Sequence, residues 1–156
     1  GNELVADDAA GYEVWKRLQA MRLPDETRIE FASVGGIALL DLLNGDEGLL
    51  VVVDAVQLGA PPGTIHCVPW DEIPSSGNSA ISAHGIGLRE AIEVGRILYP
   101  EKLPQRVILI GIEGRCFNRT RDAMTPETER AIEDAAIRVC DEITRYHRGS
   151  FHEEKR

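Results

Sequence analysis

The chain has 156 residues, 43% of them apolar, which suffices for one compact domain with its own core and is too little for two. Seventeen basic residues stand against 26 acidic ones, and the formal charge of -9 disfavours nucleic acid and anionic lipid as partners. Apolar runs shorter than the roughly 20 residues of a membrane helix, and cysteines (Cys67, Cys116, Cys140) without paired spacing, predict a soluble, leaderless cytoplasmic protein with neither a disulfide framework nor a structural zinc site.

In chain order, Val14, Trp15, Leu18 and Met21 recur at helical spacing and predict a helix over about Ala9 to Met21, ended by Leu23-Pro24-Asp25. Thr27 to Ser33 alternates like a strand, and Gly35-Gly36 opens a short apolar helix through Leu43, closed by Asn44-Gly45. The run Gly48 to Val53 reads as a strand buried on both faces, with Asp54 at its end. After the Pro61-Pro62-Gly63 turn, Thr64 to Val68 forms a further strand, and Pro69 to Ala80 a polar loop. His84 and Gly85 begin a helix that stops before Pro100 and carries Leu88, Ala91, Ile92, Gly95 and Leu98 on one side. Arg106 to Ile112 is a second continuously apolar strand, followed by a loop from Glu113 to Met124. Thr125-Pro126 caps and opens the last helix, whose core face is Ile132, Ala135, Ala136, Val139 and Ile143.

This alternation predicts a three-layer αβα domain of the phosphorylase/hydrolase-like kind, with a mostly parallel sheet, over residues 1–146, and a charged flexible tail over 147–156. A Gly-Asn turn leading straight into an acid-bearing helix is normally fed by a buried strand, so a first strand ahead of Gly1 is expected.

Three polar residues stand in small-residue turns beside apolar segments: Asp8 in GNELVADDAAG, Asp54 in VVVDAVQLGAPPGT and His84 in SAHGIGL. Each has an ordinary reading as well. Asp7 or Asp8 suits a helix cap, Asp54 a strand-end turn, and His84 a cap or a satisfied core position. If the turns converge, two carboxylates and one imidazole make a site for a borderline divalent ion with open positions. His66 and Cys67 alternate across a strand and are structural, as is Cys140 on the last helix. The glycines serve turns, since no G-x-G-x-x-G or lysine-bearing P-loop accompanies them, and no organic cofactor is expected.

These three motifs, with VILIGIEG at Val107 to Gly114 and MTPE at Met124 to Glu127, resemble the nickel-iron hydrogenase maturation endopeptidases. Ala9-Ala10 and Ser33-Val34-Gly35-Gly36 depart from the usual glycine-richer pattern. The resemblance implies an endopeptidase that removes a C-terminal extension from the hydrogenase large-subunit precursor after nickel insertion. It implies Asp8, Asp54 and His84 as catalytic and metal-contacting residues, with nickel brought by the precursor, its protein partner. Asp8 is taken over Asp7 by motif position alone. A monomer is expected.

No GxSxG elbow, HExxH helix or Cys-His motif is present, so the hydrolytic hypothesis is a water activated by Asp8 or Asp54 with the metal as Lewis acid. Two other readings remain at this level: a zinc hydrolase that keeps its ion, and a metal-checking binder without cleavage.

Overall fold

The most continuously buried stretch among the described residues is the one read as the second apolar strand, where every residue from Val107 to Glu113 is buried. A computed structural model describes residues 1–32, 36–73, 88–117, 119–120 and 124–153. A 3-10 turn at Asp7–Ala9 leads into helix α1 (Ala10–Gln19) and a 3-10 segment covers Gly36–Leu42. Strands β1 (Leu49–Val56) and β2 (Ile65–Pro69), a 3-10 turn at Trp70–Glu72, helix α2 (Leu88–Leu98), strand β3 (Arg106–Glu113) and helix α3 (Pro126–Glu153) follow.

The three strands stand in the order β1-β3-β2, with β1 parallel and β2 antiparallel to β3. The period-2 alternation of β3 sends its side chains to two different layers. Ile108, Ile110 and Ile112 pack with Ala10, Val14 and Leu18 of α1 and with Ile132, Ala135, Ala136, Val139 and Ile143 of α3. Val107 and Leu109 meet Leu40, Leu43, Trp70, Ile73 and Ile92 on the other side. Each fully buried Leu or Ile contributes about 1.5–3 kcal/mol by leaving water, so both helical layers are held through this one strand. The αβα architecture is that read from the sequence.

Several elements differ from the sequence reading. Residues 27–32 form no strand, although their pattern alternates. Side chains hold the segment instead: Phe31 lies against Tyr12 and Trp15, with ring centroids 4.9 and 5.8 Å apart, and the Arg28 guanidinium donates to the Leu42 carbonyl and pairs with Glu47. β1 runs past Asp54 to Val56, and its first five residues are only half-buried. The edge of β1 away from β3 has no strand partner among the described residues and borders a groove of about 680 Å³ lined by Val14, Leu18, Ile29, Phe31, Val139 and Ile143. A strand needs a neighbour's N–H and C=O groups to form a ladder, which explains both departures. α3 continues to Glu153, beyond His147 where the charged tail was expected to begin. The Ser33 to Gly35 turn, the Ser75-Ser76-Gly77-Asn78 loop and the start of the His84 helix lie outside the described residues.

Close backbone approach fixes α1 on the sheet, because a Cβ at Gly11 would lie 2.9 Å from the Val53 carbonyl oxygen. That contact sets the spacing between the turn bearing Asp8 and the strand bearing Asp54. A better helix former gains about 1 kcal/mol over glycine at most, whereas overpacking costs about 1–3 kcal/mol. Gly11→Val, branched and a poor helix former, is therefore expected to destabilise the fold by about 2 kcal/mol, read as a lower urea midpoint with an unchanged slope.

Candidate active site

Residues 5–9 reach the end of the sheet as a tight turn. Ala9 N–H donates to the carbonyls of Val5 and Ala6, so Asp7 and Asp8 occupy adjacent places in one 3-10 turn and point differently. Both are buried, at 0% and 2% exposure, as are Asp54 at 4% and Glu113 at 3%. A buried carboxylate must be paired or hydrogen-bonded, and its partners define its role.

Asp7 is held on all sides by the segment after β3. Its Oδ2 accepts from Arg115 N–H at 2.7 Å, Cys116 N–H at 2.8 Å and the Thr125 hydroxyl at 3.1 Å, and its Oδ1 accepts from Thr125 N–H at 2.7 Å. Glu113 acts the same way for the segment after β1, accepting from Leu58 N–H at 3.1 Å, Gly59 N–H at 2.9 Å and His66 Nε2 at 2.9 Å. His66 is thus structural, as the sequence reading has it, while Cys67 on the same strand is exposed. Sequence reasoning assigned no role to Glu113. The available signal was a carboxylate continuing a buried apolar strand without a break.

Asp8 and Asp54 are different. They come from two elements and meet across the Gly1-Asn2 backbone. Asn2 N–H donates to Asp8 Oδ2 at 3.0 Å, while the Gly1 nitrogen lies 3.1 Å from Asp54 Oδ1, which also accepts from Ala55 N–H at 3.0 Å. Space there is tight, since a Cβ at Gly1 would lie 2.2 Å from the Asp8 carbonyl oxygen and 3.3 Å from Asp54 Oδ1. Burial pushes the Asp54 carboxyl above its ordinary value of 3.8, the charge of Asp8 adds to that, and the hydrogen bond from the Ala55 amide opposes it. Two of the three sequence-identified residues therefore share one corner. His84 lies outside the described residues, and among those described no three His, Cys, Asp or Glu side chains gather in a metal-sized cluster.

The two neighbouring buried carboxylates lie in a three-layer α/β domain, Asp54 in the buried C-terminal part of the parallel strand β1 and Asp8 in the turn before α1. The sequence model of the hydrogenase maturation protease family matches residues 12–142, and the chain belongs to that family of peptide hydrolases. It is 30% identical over 146 residues to a candidate hydrogenase maturation protease of Methanocaldococcus jannaschii, covering 92% of each chain. It is also 30% identical over 142 residues to the hydrogenase 2 maturation protease of Escherichia coli K12, covering 89% of this chain and 84% of the relative. Among solved structures, the hydrogenase maturating endopeptidase HybD from E. coli superposes with a TM-score of 0.78 at 27% identity, covering 94% of this chain and 89% of that one. The family match begins at residue 12, so the Gly1 to Gly11 motif stands outside it.

An acid whose folded pKa is raised stabilises the fold in its protonated form. The contribution of Asp54 is present below the ordinary aspartate value and is lost as pH rises through the folded one. Asp54→Asn removes that loss and is expected to be more stable than the parent by about 1 kcal/mol near neutral pH, with a difference in melting temperature that shrinks as the pH is lowered. In Asp8→Asn, the Asp54 carboxyl is expected to titrate at lower pH than in the parent, followed by its 13C carboxyl shift, because a neighbouring negative charge has gone.

Proposed function

We propose that the chain removes a C-terminal extension from the large-subunit precursor of a nickel-iron hydrogenase once nickel is in place, and that the nickel arrives with the precursor. The observation that carries this reading is the meeting of Asp8 and Asp54, from separate elements, across Gly1-Asn2. Two carboxylates whose charges oppose each other favour a shared cation, and a precursor without metal offers nothing to relieve that repulsion. His84 is proposed as the third contact, its imidazole suiting a borderline ion.

In the proposed reaction, water attacks the scissile carbonyl carbon while the substrate-borne ion polarises the carbonyl oxygen. Asp54 accepts the water proton, and the proton passes to the amine nitrogen as the C–N bond breaks. Asp8 keeps the ion beside Asp54.

Mass measurement of precursor before and after incubation tests the reading. Loss of a short C-terminal piece is expected from nickel-loaded precursor alone, and Asp54→Asn is expected to slow it by at least about 100-fold. Equal trimming of nickel-free precursor removes the metal requirement, and full activity in Asp54→Asn removes the role of that carboxylate. Stoichiometric zinc in freshly purified protein would point instead to a hydrolase with a resident ion.

A further inference from the structure

Asp7, the neighbour of a proposed metal contact, takes no part in the reaction above, yet four hydrogen bonds of 2.7 to 3.1 Å converge on its buried carboxylate. All four donors belong to the segment between β3 and α3. The main chain returns the attachment: Asp7 N–H donates to the Cys116 carbonyl at 2.9 Å, Ala6 N–H to the Arg119 carbonyl at 3.0 Å, and Val5 bridges Thr120. Space around the carboxylate is closed, since a Cβ at Gly114 would lie 2.9 Å from Asp7 Cβ and 2.8 Å from the Phe117 ring.

The consequence falls on the next residue. Asp8 follows Asp7 in the same 3-10 turn, and the Asp8 side chain meets the Gly1-Asn2 backbone that also supports Asp54. A backbone fixed at Asp7 restricts the direction in which the adjacent Cα–Cβ bond leaves the chain, so the bonds at Asp7 aim Asp8 toward the Asn2 N–H that it accepts from. We propose that Asp7 is a positioning residue for the trimming reaction: by tying its turn to Arg115, Cys116 and Thr125 it holds Asp8 beside Asp54 for a bound ion. The proposal rests on the reading of Asp8 and Asp54 as the metal-contacting pair.

Asparagine at this position keeps the volume but turns an N–H₂ group toward main-chain donors, where only its single carbonyl oxygen can accept. In Asp7→Asn the amides of Arg115, Cys116 and Thr125 are expected to exchange faster with deuterium. On nickel-loaded precursor its kcat is expected to fall by about tenfold or more while KM changes little, as with other groups that orient a metal contact. Asp7→Glu, which keeps the carboxylate, is expected to recover part of both the amide protection and kcat. Should Asp7→Asn fail to accumulate, Thr125→Val, which deletes the hydroxyl donor alone, carries the same test with a loss of a few-fold.

A normal kcat beside loosened amides would overturn the positioning role and leave Asp7 as a stabilising residue only. Unchanged amide exchange would overturn the tether itself. Asp54→Asn measured alongside separates the two failures. If it too retains full activity, the carboxylate-pair reading is wrong; if it is inactive while Asp7→Asn is normal, only the present proposal falls.

Discussion

Among the described residues four carboxylates are buried at the sheet end from which the loops leave, and the loops there follow from the main-chain N–H groups that must be brought to them. Burying an ionised carboxylate without partners is far more costly than any single apolar contact is worth. Asp7 draws in residues 115, 116 and 125, and Glu113 draws in residues 58 and 59 with His66. These attachments leave little latitude in the two connections that flank Asp8 and Asp54.

The four acids fall into two kinds by what surrounds them. Asp7 and Glu113 are met by three or more donors each, an environment that satisfies the buried oxygens and rigidifies the chain. Asp54 is met by the Gly1 nitrogen and the Ala55 amide on a single oxygen, with a second acid nearby, and its pKa is raised. Stability is given up at Asp54 and secured at Asp7 and Glu113. That division is expected of a site that must still have something to offer a ligand.

The same logic links the site to the core. β3 packs both helical layers through its alternating side chains, and its last residue is Glu113, so the best-buried strand ends in the group that organises the loop after β1. α1 lies against β1 closely enough that Gly11 has no room for a side chain beneath the Val53 carbonyl. Core packing thereby sets the separation of the two proposed metal-contacting carboxylates, and a change remote from both reaches them through the position of α1.

The sequence by itself determined the alternation of helices and strands and the core faces of α1 and α3, because hydrophobic period is a local property, while the candidacy of Asp8 and Asp54 came from the resemblance of their motifs to the family. Strand parity likewise set His66 and Cys67 on opposite faces. Only the tertiary structure divided the Asp7-Asp8 pair, since two identical side chains one residue apart differ in the donors that distant residues 115–125 deliver. It likewise gave Glu113 its role and withheld a strand from residues 27–32, whose alternating pattern has no ladder partner to meet. Local pattern states what a segment can form; which hydrogen bonds are made is decided by what lies across from it, and that is a property of the folded chain.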